Sequence, residues 1–84
     1  MIIKSWGQSL SDNPILYTHP DCAYSSAAKM DYRQRKVVYT EIDVSKQTDQ
    51  IPDLIKLTGG ERLTPVIVEN GTVTIGFKGG TWEF

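Results

Sequence analysis

The chain has 84 residues, of which 39% are hydrophobic and 23% are charged, and its formal net charge at pH 7 is -1. These values are typical of a single folded domain and exclude a disordered chain. A nucleic-acid-binding domain usually carries a surplus of basic residues on one face, so we expect no nucleic-acid partner.

The sequence contains no run of the about 18 apolar residues that a membrane-spanning helix needs, and residues 1–10 lack the pattern of a secretory signal. The only cysteine, Cys22, cannot form an internal disulfide. We therefore expect a cytoplasmic protein without membrane contact. In that setting Cys22 is either a small buried hydrophobic residue or a reactive thiol.

The N-terminal part of the chain is weakly patterned. We expect residues 1–13 to form an arm, with a short strand at residues 2–6, and residues 14–84 to form the domain. The first strand of the domain is predicted at residues 15–18, which read ILYT and precede the turn residues HPD.

A helix and a second strand are predicted next. From Cys22 onwards, Tyr24, Ala28 and Tyr32 fall on one helical face at i, i+4 and i+8. Residues 37–44 then show strand periodicity. The residues on one face of this predicted strand are Val38, Thr40, Ile42 and Val44.

A second helix and a hairpin complete the pattern. The helix is predicted over residues 49–58, with Asp49 as its N-cap, Pro52 in its first turn and glycines at its end. Two β-prone runs then flank Asn70-Gly71, a dipeptide that favours a type I′ turn. The order is therefore β-α-β-α-β-β.

This order indicates an α/β fold. Strand, helix and strand in succession predict a parallel pair with a right-handed crossover, and the terminal hairpin adds antiparallel strands. The result is a four-stranded mixed sheet with helices on its faces, which is a thioredoxin-like architecture.

Cys22 lies between the first predicted strand and the first predicted helix. Its sulfur would be close to the unpaired N–H groups of the helix start, which favour the nucleophilic thiolate. Ser25 is one turn further along, where its hydroxyl could hydrogen-bond the thiolate. We predict Cys22 and Ser25 as the catalytic residues.

Three segments resemble the glutaredoxin family. Residues 17–25, YTHPDCAYS, resemble its active-site segment in the single-cysteine Cys-x-x-Ser form, and Thr64-Pro65 resembles its cis-proline loop. Gly79-Gly80 resembles its glycine pair near the last strand. The resemblance covers residues 14–82 and implies monothiol exchange on glutathione mixed disulfides, with glutathione as co-substrate.

The resemblance also implies a glutathione site. Thr64 would offer its N–H and C=O to the cysteinyl unit, and Arg62 would face a carboxylate. Plainer interpretations stay open: a trans proline at the start of an edge strand, a turn at the glycines, a solvated Arg62, and a histidine that only ends its strand. The implied glutathione-binding residues are His19, Tyr24, Arg62, Thr64, Pro65, Gly79, Gly80 and Thr81.

The sequence departs from the family pattern in two places. Ala23 replaces the proline that usually follows the cysteine, and Thr81-Trp82-Glu83 replaces the acidic pattern that holds the γ-glutamyl end of glutathione. We also expect the C-terminal helix of the family to be missing or truncated.

Two other functions compete with the enzyme. One is a carrier that binds a [2Fe–2S] cluster, and the other is a non-catalytic interaction module with the same fold. We expect no permanently bound cofactor and no metal site, because His19 and Cys22 are too few ligands for zinc. The expected partners are glutathione and disulfide or glutathionylated substrates, and the expected state is a monomer.

Overall fold

The computed structural model describes residues 13–84. The predicted arm, including its strand at residues 2–6, lies outside the described residues except for Asn13. The elements are β1 (Ile15–Thr18), α1 (Ala23–Gln34), β2 (Thr40–Asp43), a 3-10 turn (Thr48–Gln50), α2 (Ile51–Thr58), β3 (Leu63–Thr64), β4 (Val66–Glu69), β5 (Thr72–Ile75) and β6 (Trp82–Glu83).

The main sheet has four strands in the order β2-β1-β4-β5. β1 and β2 are parallel, with Tyr17 opposite Ile42, and α1 forms the crossover between them. β4 is antiparallel to both β1 and β5. The predicted mixed four-stranded sheet is therefore confirmed.

The core lies on both faces of this sheet. Leu16 and Tyr17 are neighbours in β1, and successive strand residues point to opposite faces. Leu16 therefore packs with Ala28 of α1, while Tyr17 packs with Leu54 of α2. Burial raises the pKa of the Tyr17 hydroxyl above its ordinary value, and the charge of Asp53 adds to this effect.

The predicted second strand starts too early. Val37 donates its N–H to the C=O of Tyr32, so it closes the turn that follows α1, and strand pairing begins where Thr40 donates to Pro14. Val38 is 71% exposed and does not join the predicted face. The prediction failed because β-branched residues such as Val37 and Val38 can also form the turn that follows a helix.

Two further details of the helices differ from the prediction. In α1 the buried residues include Ser25, whereas Tyr24 is exposed. Asp49 lies within the 3-10 turn, and the N-cap of α2 is Gln50, which makes no side-chain cap hydrogen bond. Gly59 ends α2 in the left-handed conformation with φ 78°, as predicted.

The hairpin between β4 and β5 is confirmed. Asn70 has φ 53° and Gly71 has φ 78°, the two positive values that a type I′ turn requires. No helix follows it in residues 76–84. Within residues 13–84 no helix is long and apolar enough to cross a membrane.

A second, two-stranded sheet was not predicted. β3 and β6 pair antiparallel, with Leu63 opposite Glu83 and Thr64 opposite Trp82. Beyond this pair, Phe84 donates its N–H to the C=O of Arg62 at 3.0 Å. The last residues of the chain therefore run along the segment that precedes Pro65.

Candidate active site

Cys22 is the N-cap residue of α1. Its backbone is extended, with φ -94° and ψ 110°, and the N–H of Ser25 donates to its Sγ at 3.3 Å. The sulfur thus takes the place of the side-chain oxygen that usually caps a helix. The thiol lies between β1 and α1, at the N-terminus of the helix, which is the position that the sequence predicted.

The hydroxyl of Ser25 has a different partner from the one predicted. Its Oγ accepts a hydrogen bond from the backbone N–H of His19 at 3.3 Å, and the contact with the sulfur of Cys22 comes from the Ser25 backbone instead. The predicted hydroxyl–sulfur hydrogen bond is therefore wrong. The Ser25 hydroxyl holds the turn between β1 and α1.

The proline loop lies beside the cysteine. The Thr64-Pro65 peptide bond is cis, so the alternative of a trans proline is wrong. The Sγ of Cys22 donates to the C=O of Thr64 at 3.5 Å. Both residues are fully buried, with 0% exposure.

The two glycines near the last strand have separate structural roles. Lys78 and Gly79 have φ 51° and 82° and form a tight turn between Phe77 and Gly80, which exchange both backbone hydrogen bonds. A side chain at Gly80 would overlap the ring of Tyr24. In this structure Gly80 therefore allows the ring of Tyr24 to lie close to the backbone.

His19 contacts the C-terminal residues. Its Nδ1 accepts from the N–H of Asp21 at 3.1 Å, and its ring centroid lies 4.7 Å from that of Trp82 and 5.6 Å from that of Phe84. His19 therefore does more than end its strand.

Asp43 lies at the same end of the sheet, since β1 and β2 are parallel and Thr18 pairs with Asp43. Burial acts to raise the pKa of Asp43. The side-chain and backbone hydrogen bonds from Ser45 lower this pKa, as do the charges of Lys46 and His19, and together they outweigh burial. The net result is a pKa below the ordinary value. Asp43 is therefore a carboxylate held by its own turn.

Arg62 and Thr81 border the C-terminal segment. The guanidinium of Arg62 lies 4.6 Å from the ring centroid of Phe84, and its Nε donates to the Phe84 C=O at 3.1 Å. Thr81 is exposed, and its methyl group lies against Gly76. Both side chains lie on the exposed surface next to β6, and their predicted roles toward glutathione stay predictions.

The structure therefore brings most of the predicted residues to one end of the sheet. Trp82 and Phe84 join them and were not predicted. Trp82 and Phe84 alternate with Glu83, which is a strand pattern. The pattern is too short to predict a strand directly after two glycines. The arrangement provides one thiol at the N-terminus of α1, next to the backbone of Thr64.

A family model described as Glutaredoxin matches residues 15–74. The chain belongs to the glutaredoxin family. The matched range contains Cys22, Ser25 and the cis-proline loop, and it ends before β6.

Solved structures agree with this assignment. The thioredoxin-like protein BC3987 is 30% identical, over 79% of this chain and 89% of that chain, with a TM-score of 0.69. A point mutant of that protein is 29% identical, over 79% of this chain and 88% of that chain, also with a TM-score of 0.69. The comparison with curated proteins gives no match. The predicted thioredoxin-like fold is confirmed, and the glutaredoxin family points to chemistry of the thiol–disulfide oxidoreductase kind.

Proposed function

We propose that this glutaredoxin-family protein catalyses monothiol exchange on glutathione mixed disulfides through Cys22. The observation that supports the proposal is the position of Sγ, which caps a helix and lies 3.5 Å from the C=O of Thr64 at the cis-proline loop. A thiol in this position has a donor for the thiolate and a backbone edge for a peptide beside it.

The first step transfers glutathione to the enzyme. The proton of Cys22 leaves to solvent, and the thiolate attacks the glutathione sulfur of a mixed disulfide. The old S–S bond breaks as the new one forms, and its electron pair leaves with the substrate sulfur, which takes up a proton. The products are the free substrate thiol and Cys22–S–S–glutathione, and the N–H of Ser25 stays directed at the Cys22 sulfur.

The second step regenerates the thiol. A second glutathione thiolate attacks the glutathione sulfur of this intermediate, and Cys22 leaves as thiolate and is reprotonated. The oxidised product is glutathione disulfide, in which one half comes from the mixed disulfide and the other from the one free glutathione that is consumed. The net reaction converts a mixed disulfide and one glutathione into the substrate thiol and glutathione disulfide. Only one protein thiol is required, which matches the single cysteine of the chain.

Substrate binding uses the backbone of Thr64. An extended peptide could pair antiparallel with this residue in place of β6, which pairs with it in this structure. Tyr24, Pro65 and Gly80 would border the cysteinyl unit, with His19, Gly79 and Thr81 around it. Arg62 would attract a glutathione carboxylate.

The remaining expectations become part of the proposal. Glutathione serves as co-substrate rather than as a bound cofactor, and the disulfide or glutathionylated substrate is the other partner. We expect the enzyme to work as a monomer in the cytoplasm, where glutathione keeps thiols reduced.

A coupled assay tests the proposal. Reduction of a mixed disulfide of glutathione and a small thiol is followed through the glutathione disulfide produced, for the native chain, Cys22→Ser and Ser26→Ala. Ser26 is an exposed residue of α1, so its variant is the matched control. We expect Cys22→Ser to fall to the uncatalysed rate and Ser26→Ala to keep the native rate. Equal turnover by the native chain and Cys22→Ser would reject the proposal.

A further inference from the structure

The geometry points to β6 as an internal occupant of the peptide-binding edge, which must leave Thr64 before a disulfide substrate can reach Cys22. This inference rests on the proposed function and adds a regulatory step to it. The enzyme would rest in a closed form and bind its substrate by exchanging one antiparallel strand for another.

The register of β6 shows that it uses the groups that a peptide needs. Hydrogen-bonded and non-hydrogen-bonded pairs alternate along an antiparallel ladder. Phe84 donates to Arg62, so the pair of Leu63 and Glu83 is not hydrogen-bonded, and the pair of Thr64 and Trp82 is. The N–H and C=O of Thr64 are thus directed at β6.

β6 also lies on the side of the sheet where the cysteine is. Trp82 and Phe84 contact the ring of His19, which lies in the turn between β1 and Cys22. The residue that follows Thr64 is already paired with the hairpin, because Gly76 donates its N–H to the C=O of Pro65 at 2.7 Å. A peptide directed at Cys22 would therefore meet β6.

The closed form leaves no access to the sulfur. Cys22 and Thr64 are each 0% exposed. Disulfide exchange needs the attacking sulfur, the attacked sulfur and the leaving sulfur in line, so it needs free space in front of Cys22. The S–H of Cys22 instead donates to the C=O of Thr64. The structure is therefore that of a resting state.

Opening requires little disruption of the fold. β6 has two residues and, within residues 13–84, pairs with no strand except β3, which also has two residues. A pair of strands this short can open locally without unfolding the core. In addition, the Oγ1 of Thr64 is buried without a hydrogen-bond partner among the described residues, and opening would let water satisfy it.

Two proline substitutions provide a matched test. Trp82→Pro removes an N–H that points to Thr64, whereas Glu83→Pro removes one that points away from β3. The readout is the rate at which iodoacetamide alkylates Cys22. We expect Trp82→Pro to raise this rate about tenfold, from the loss of one ladder hydrogen bond and one aromatic contact. Glu83→Pro should stay within about threefold of the native rate.

Two further measurements keep the test decisive if Trp82→Pro fails to fold. Trp82→Ala removes the ring that contacts His19 but keeps the backbone N–H, and it should raise the alkylation rate by a smaller factor. In the native chain, the amide hydrogen of Thr64 should exchange faster than that of Tyr17 in the four-stranded sheet. Native alkylation as fast as that of a free thiol, or rates that are equal for Trp82→Ala and the native chain, would overturn the inference. Alkylation needs no disulfide substrate, so this result is independent of the proposed enzymatic activity.

Discussion

The ring of Tyr24 occupies the space in which a side chain at Gly80 would begin. Tyr24 lies in the first turn of α1, two residues after Cys22, and Gly80 follows the tight turn of Lys78 and Gly79. This contact joins the start of α1 to the segment that leads into β6. It also explains why a glycine is needed at position 80.

Substitution at Gly80 should therefore be costly for a steric reason. We predict that Gly80→Ala lowers the free energy of unfolding by about 1–3 kcal/mol, the usual range for overpacking. Chemical denaturation measures it. In the double variant Tyr24→Ala/Gly80→Ala the loss should be smaller than the sum of the single losses, because the ring is no longer there to clash.

Gly79→Ala is the contrasting variant. Among the described residues, chain neighbours aside, nothing lies within 4 Å of a Cβ at Gly79, but its φ of 82° is strained for a residue with a side chain. We predict a loss of about 1–2 kcal/mol, and Tyr24→Ala should not relieve it. Equal relief of both glycine variants by Tyr24→Ala would contradict the assignment of these two roles.

Ser25 is predicted to matter for stability more than for reactivity. Ser25→Ala removes the oxygen that accepts from His19 but keeps the backbone N–H that donates to Cys22. The free energy of unfolding should fall by about 1 kcal/mol, while the alkylation rate of Cys22 should change by no more than about threefold. Ser26→Ala is the control for both measurements. A large loss of thiol reactivity in Ser25→Ala alone would show that the hydroxyl acts on the sulfur after all.

The lowered pKa of Asp43 predicts that its contribution to the free energy of unfolding depends on pH. Its folded-state pKa is lowered, so the contribution is complete above the unfolded pKa of about 3.9 and is lost as the pH falls through the folded value. Asp43→Ala should lower the Tm at neutral pH, and the difference from the native chain should shrink as the pH falls from about 4 to about 2. Asp49→Ala removes the same charge from an exposed position and is the control. A difference that stays constant over this range would contradict the prediction.

The sequence predicts the parts of this fold that depend on local chemistry. Asn70-Gly71 and Gly59 require positive φ, and both predictions are confirmed. The run ILYT at residues 15–18 is β-prone enough to define the central strand, and the cysteine after it caps a helix. The cis form of Thr64-Pro65 was predicted from the family resemblance.

One missed feature, the pairing of β3 with β6, depends on contacts between residues that are distant in the sequence. Nothing local to Trp82 or Glu83 indicates that they pair with Leu63 and Thr64, because that pairing depends on where the preceding tight turn directs the chain. The partner of the Ser25 hydroxyl was also missed. The backbone N–H of Ser25, and not its hydroxyl, donates to the sulfur, and the hydroxyl oxygen accepts from the N–H of His19. Val38 was misplaced because Val37 closes the turn that follows α1.

The most direct test of the account is a single-turnover experiment on the native chain, read by intact mass. The protein is mixed with a glutathione mixed disulfide, the products are trapped with acid, and the modified residue is mapped by peptide analysis. We predict one glutathionyl group per chain, located on Cys22, and its complete removal when reduced glutathione is added. A chain that stays unmodified over many native turnover times, while the substrate is still consumed, would contradict the account.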